Sequence, residues 1–157
     1  MILVMDAIDR NILAELQGNG RLTITELAER VQLTVSPCHR RLRDLEGRGV
    51  IAEYRAVLDP DAVGLGFLTL VFVTMQGATR TIISDFENAV DAIPYIVDAQ
   101  RLFGEPDYLL RVVARDLSHF QLLYDEQLST LPGVQKLTTT LVMRQVVENR
   151  ALPIVVK

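Results

Sequence analysis

Between Leu22 and Val50 the hydrophobic positions form two short helical patterns separated by a tight turn. The second leaves a row of arginines on its outer side. Ile24, Leu27, Ala28 and Val31 recur at helical spacing and give the first helix one apolar face. Thr23 and Glu26 read as a capping box, in which each side chain satisfies a free backbone N–H of the other. Thr34 is placed to cap the second helix, and Pro37 falls in its first turn, where a missing N–H costs little. Cys38, Leu42 and Leu45 point inward in that helix. Ser36, His39, Arg40 and Arg43 point outward, with Arg41 on the flank. This is the layout of a helix-turn-helix that reads DNA.

Asp6 can cap an earlier helix that aligns Ile8, Ile12, Leu13 and Leu16 and stops at Gly18-Asn19-Gly20. The three helices make an expected domain over 1–50. Val50 to Leu58 is β-like, and a β-linker or hinge over 51–66 holds the turn residues Asp59-Pro60-Asp61 and Gly64-Leu65-Gly66. Residues 67–157 form the second domain. Phe67 to Met75 predicts a strand, and Thr79 to Ile93 a helix with Ile82, Phe86, Ala89 and Ile93 in line. Tyr95 to Phe103 and Asp107 to Arg115 predict two strands joined at Gly104-Glu105-Pro106. Ser118 to Gln121 reads as a capping box for a helix with Phe120, Leu123, Leu128 and Leu131 inward, and Val134 to Val147 as a last strand. The order βαββαβ is ferredoxin-like, so the expected class is α+β: a three-helix helix-turn-helix domain followed by a ferredoxin-like domain.

In such a unit both helices cover one face of the sheet. The first strand nevertheless carries Leu68, Leu70 and Phe72 on one side and Val71, Val73 and Met75 on the other. The last strand likewise sets Leu137, Leu141 and Met143 against Val134 and Val142. A second copy of the sheet is the simplest cover for the other face, which predicts a homodimer.

Composition limits the remaining choices. The net charge of −4 argues by itself against a nucleic-acid partner. Within 34–48, however, four arginines (40, 41, 43 and 48) face only Asp44 and Glu46, and phosphate affinity follows the local field. One cysteine and two histidines exclude a disulfide framework and a multi-ligand Cys/His metal site. The apolar run from Gly64 to Met75 is shorter than the roughly 20 residues of a spanning helix, and no secretory signal is visible, so a cytoplasmic protein without a membrane partner is expected. Cys38 and His39 are helix neighbours about 100° apart and cannot form a nucleophile–base pair. No catalytic set is predicted.

A helix-turn-helix, a linker and a βαββαβ unit with a Gly-x-x-Asp-Tyr turn together resemble the Lrp/AsnC (leucine-responsive, or feast/famine) family of transcription regulators. The likeness rests on Asp6-Ala7-Ile8-Asp9, the run Ser36 to Glu46, Gly49-Val50-Ile51 with Tyr54, Gly104 to Leu110, Leu131-Pro132-Gly133-Val134 and Leu152-Pro153. It implies an N-terminal domain for double-stranded DNA and a C-terminal domain that dimerises, assembles further and binds amino acids; tetramers or octamers are family expectations. Two positions depart from the family pattern. Gln32 stands where the turn often has glycine, and a left-handed backbone there costs a non-glycine residue about 1–2 kcal/mol. Glu105-Pro106 replaces the usual Asp and aromatic residue in the ligand loop.

The functional assignment gives DNA contacts to Ser36, His39, Arg40, Arg41 and Arg43, because an arginine fork can reach guanine O6 and N7 together. Arg41 is equally suited to phosphate contact or to packing. The plainer alternative is a solvated basic face with intrahelical pairs to Asp44 and Glu46. For an amino acid effector, Gly104 offers accessible N–H groups, Glu105 and Asp107 carboxylates, Tyr108 an aromatic wall, and Thr138, Thr139 and Thr140 hydroxyls. On the residues alone Gly104 to Asp107 is a hairpin turn; the resemblance makes it an effector site. No cofactor is expected. The competing functions are a ligand-sensing ferredoxin-like protein, or a small enzyme, with an N-terminal protein-interaction domain.

Overall fold

The computed structural model describes residues 5–154. The chain divides into two compact units. Among the described residues, one holds 5–57 and 147–154; the other is Leu58–Val146. The expected second domain over 67–157 therefore closes earlier than its sequence pattern suggested.

In the first unit α1 is Ala7–Gly18, α2 is Ile24–Arg30 and α3 is Val35–Gly47. Asp6 caps α1 through a capping box with Asp9, and Thr23 caps α2 through one with Glu26. Ile12, Leu27, Cys38 and Leu45 are fully buried and form the shared core, with Leu42 against it. Thr34 has the extended backbone of an N-cap but makes no side-chain capping bond. The cause is local: Pro37 occupies the third helical position and offers no N–H to the threonine hydroxyl. The turn between α2 and α3 passes through Gln32 in the left-handed region, at φ 56°. Val50 to Leu58, expected to be β-like, forms no strand and pairs with none among the described residues.

The second unit is a four-stranded antiparallel sheet in the order β2-β3-β1-β4. The strands are β1 Phe67–Met75, β2 Ile96–Arg101, β3 Tyr108–Ala114 and β4 Val134–Leu141. Between them lie α4, Arg80–Asp91, and α5, Leu117–Leu123, the latter continued by a π-helical turn over Tyr124–Leu128. Val71, Val73 and Met75 of β1 face Phe86 and Val90 of α4 and Phe120 and Leu123 of α5 in one buried cluster. Helix α5 begins two residues earlier than its sequence signal. Asp116 is the cap, accepting the His119 N–H at 2.8 Å, and Ser118 lies inside the helix. Gly133 is required by its φ of 70° and by Ile82, which lies where a Cβ would stand.

The open face of the sheet differs from expectation on one strand. Across β1 and β3, Leu68 pairs with Val113, Leu70 with Arg111 and Phe72 with Leu109, so β1 is apolar on both sides as predicted. On β4 the register shifts between Thr74 and Met75, which sets Val134 opposite Met75 and Leu137 opposite Val73. Directly opposed residues share a face, so both leucine and valine join the helix-covered core. The outer face of β4 is Lys136, Thr138 and Thr140. The strand ends at Leu141, so Val142, Met143 and Val147 lie beyond it. Among the described residues no helix is long and apolar enough to cross a membrane.

The strained turn gives a direct test. Gln32→Gly is expected to be at least as stable as wild type in chemical denaturation, and Gln32→Val to fall about 1–2 kcal/mol below the glycine variant, because a β-branched residue tolerates φ 56° worst. The reverse order would mean that the turn relaxes freely.

Candidate DNA interface and ligand cavity

Ser36, His39, Arg40 and Arg43 are all exposed on α3, at successive helical neighbours. Arg40 and Arg43 form no ion pair or hydrogen bond among the described residues. Arg41 behaves differently. Its guanidinium donates to Asp6 Oδ2 at 2.7 Å and to Asp9 Oδ1 at 2.8 Å, joining α3 to the capping box of α1. The Asp9 backbone N–H, and then Arg41, hold the Asp6 carboxyl below its ordinary range. Arg48 pairs with Asp44 one turn away at 2.8 Å, which keeps that carboxylate from the exposed arginines. The Tyr54 hydroxyl donates to Glu46 Oε1 at 3.0 Å. Of the five residues expected at DNA, four thus stand free on one face and the fifth is engaged within the domain.

In the second unit the loop after β2 reaches β3 through Gly104, at φ 125°. The Asp107 carboxylate accepts the Met75 N–H at 2.7 Å, while its own N–H donates to Val73 O at 2.9 Å. That residue is first a clamp between the loop and the end of β1. Its other carboxylate oxygen has no partner among the described residues. Asp107 and Gly104 line a small cavity of about 110 Å³ with Met75, Arg101, Phe103 and Tyr108. Arg101 and Tyr108 also border a larger hollow of about 460 Å³ between α4 and β2, beside Glu87 and Asp98. Glu105 is exposed and Phe103 fully so.

Tyr108 is almost completely buried, and its hydroxyl donates to Glu87 Oε1 at 2.8 Å. Burial, and then the Glu87 carboxylate, push its pKa up to about 12. Thr138, Thr139 and Thr140 are not gathered with the loop in one chain, because β1 and β3 lie between β4 and β2. Thr139 opposes Val71 and turns to the helix side, while Thr138 and Thr140 occupy the open face. Sequence reasoning missed Arg101 and Glu87. Arg101 sits opposite Tyr108 across the β2–β3 ladder, a pairing with no local signal.

A three-helix unit with a free cationic ridge, joined to an α+β unit with a polar-lined cavity, defines a DNA-binding transcription regulator with a ligand-binding domain. The chain belongs to the Lrp/AsnC family: the Lrp/AsnC ligand binding domain matches residues 68–152, and a winged helix-turn-helix DNA-binding domain matches residues 5–52. It is 37% identical to the leucine-responsive regulatory protein of Escherichia coli K12 over 96% of this chain and 92% of that protein. It is 34% identical to the DNA-binding transcriptional activator DecR of the same organism, over 96% of this chain and 99% of DecR. Among solved structures, the transcriptional regulator NMB0573 of Neisseria meningitidis in complex with L-Met superposes with a TM-score of 0.90, at 36% identity over 96% of this chain and 97% of that one. Both Escherichia coli relatives are transcription regulators by name, and this chain belongs to their family.

The Tyr108 hydroxyl makes the second unit sensitive to alkali. A phenol whose folded pKa lies above its ordinary value of 10 contributes stability that is complete below pH 10 and lost as pH climbs toward about 12. Tyr108→Phe is therefore expected to flatten the decline in stability between pH 10 and 12, read by circular dichroism. An unchanged decline would show that the Glu87 bond contributes nothing.

Proposed function

We propose that this regulator reads double-stranded DNA with Ser36, His39, Arg40 and Arg43, and that an amino acid effector at the loop Gly104–Tyr108 tunes its assembly or DNA affinity. The observation that carries the DNA assignment is the division of labour on α3. Arg41 is held by two carboxylates, whereas Arg40 and Arg43 are exposed without partners among the described residues. Free arginines one turn apart suit a major groove, where each can take a guanine edge or a phosphate. The protein acts in the cytoplasm, beside its DNA.

The effector assignment draws support from the loop's chemistry and from the Neisseria relative, which is described with L-Met. A zwitterion needs an anion for its ammonium and donors for its carboxylate. Asp107 retains one free carboxylate oxygen for the first, and Arg101 with the loop N–H groups serves the second. Glu105 is the nearby exposed carboxylate that can join them. No other cofactor enters this reading.

Two copies cover each other's open sheet face. Leu68, Leu70, Phe72, Leu109 and Val113 make it apolar, with Arg111 set between Leu109 and Val113, while Lys136, Thr138 and Thr140 make its β4 side polar. Thr138 and Thr140 then act at that interface, and dimers associate into tetramers or octamers.

Arg40→Ala and Arg43→Ala are each expected to weaken operator binding by about 1–3 kcal/mol in gel shift where the contact is a base edge, with a steep loss of wild-type affinity as salt rises. Unchanged affinity in both variants would remove this face from the DNA. For the second unit, sedimentation should give a dimer or larger, and calorimetry over the common amino acids should give heat with at least one. Glu105→Ala and Arg101→Ala are expected to weaken that heat. A monomer that binds none of them would sink both the assembly and the effector.

A further inference from the structure

The chain does not stop at its last strand. Val142 N–H still donates to Leu68 O at 3.0 Å, one step past β4, and residues 147–154 belong to the DNA-binding unit. Asn149 turns the backbone through the left-handed region, at φ 45°. Gln17, in the last turn of α1, then grips the Leu152 backbone with both ends of its amide. Its Oε1 accepts the Leu152 N–H at 2.6 Å, and its Nε2 donates to Leu152 O at 3.2 Å. A side-chain amide used in this way reproduces both bonds of a β-ladder pair on a single residue. The Leu152 side chain is left exposed, so it is the main chain that is held; Ile154 next packs against the three-helix core.

The other connection to the same unit is fixed as well. Tyr54, at the start of the linker, bonds Glu46 in the last turn of α3. One covalent route therefore leaves the DNA-binding unit at α3, and a second returns to it at α1.

We propose that residues 147–154 are a strap that gives the DNA-binding unit its second attachment and transmits the state of β4 to α1. The transmission rests on the effector reading above. Strand β4 carries Thr138 and Thr140, and among the described residues it runs into the strap with no helix or strand between them. A displacement of β4 by a ligand or a second subunit is therefore delivered to the helix that Arg41 ties to α3.

The test uses the full chain with Gln17→Ala, Gln17→Glu and Ile154→Ser. Gln17 is exposed, so its replacement leaves the core intact. Hydrogen exchange at the Leu152 amide reports the attachment. It is expected to be at least tenfold faster in Gln17→Ala than in wild type, and intermediate in Gln17→Glu, which keeps the acceptor and loses the donor. Operator affinity is then measured with and without an amino acid mixture, and ligand heat by calorimetry. In Gln17→Ala and Ile154→Ser the heat is expected to persist, while the ratio of the two DNA affinities moves to within twofold of unity. Unprotected exchange at Leu152 in the wild-type protein overturns the strap, as does a wild-type ratio preserved in both variants. Absence of ligand heat in wild type is a separate failure that removes the effector. Exchange and operator affinity then decide the strap: it stands if Gln17→Ala speeds exchange and weakens operator binding at least threefold, and falls otherwise.

Discussion

Arg41 bonds Asp6 and Asp9, the two members of the capping box that opens α1, and so locks the outermost helix of the first unit to the helix that carries the exposed arginines. Asp9 is nearly buried, which makes the contact a partly desolvated charge-assisted pair and not a loose surface one. Its removal would leave a carboxylate facing the core without its cation. The orientation of Ser36, His39, Arg40 and Arg43 depends on that lock, because α3 has few large side chains of its own to hold its roll. Only Cys38 and Leu45 are buried in it. The arginine that the sequence sets on the flank is the one that ties this helix to α1.

The second unit is organised by β1. This central strand is apolar on both sides, and β3 and β4 pair along its two edges. The two sides are satisfied differently. α4 and α5 bury Val71, Val73 and Met75, whereas Leu68, Leu70 and Phe72 remain half-covered on the open face. The bulge opposite Met75 sharpens this division by drawing Val134 to the helix side. The open face of β4 is left to lysine and threonine. The open face of the sheet is thereby less apolar on its β4 side than hydrophobicity along the chain implied.

Much of this was legible in the residues because the governing signals are local. Thr23 with Glu26 specifies a helix start within four residues, and the apolar run Phe67–Met75 specifies a strand that is apolar on both faces. The exposed row on α3 follows from helical spacing alone. Most of the misses share a cause, a partner distant in sequence or a donor that is absent; the start of α5 is instead a local competition between two caps. Val50 to Leu58 has strand-like residues and pairs with no strand among the described residues. Thr34 is a good cap facing a proline, and Asp116 outcompeted Ser118 for the start of α5. The return of Leu152 to Gln17 spans 135 positions and carries no pattern in either segment. At the ligand cavity the glycine, aspartate and tyrosine announced themselves as a turn motif. Arg101 and Glu87 did not, because their relation to Tyr108 exists only across a ladder and beneath a helix.

The two outer strands of the sheet are built against lateral addition. β2 is exposed along most of its length and carries Asp98, Gln100 and Arg101, while β4 carries Gln135 and Lys136 near one end and threonines beyond. Charged and amide side chains on border strands discourage another backbone from adding alongside, the route by which sheets lengthen into ribbons and fibrils. Stacking of apolar faces, unlike lateral addition, is saturated once a single neighbour has arrived. Pairing through the open faces, as proposed above, would then leave the border strands unextended.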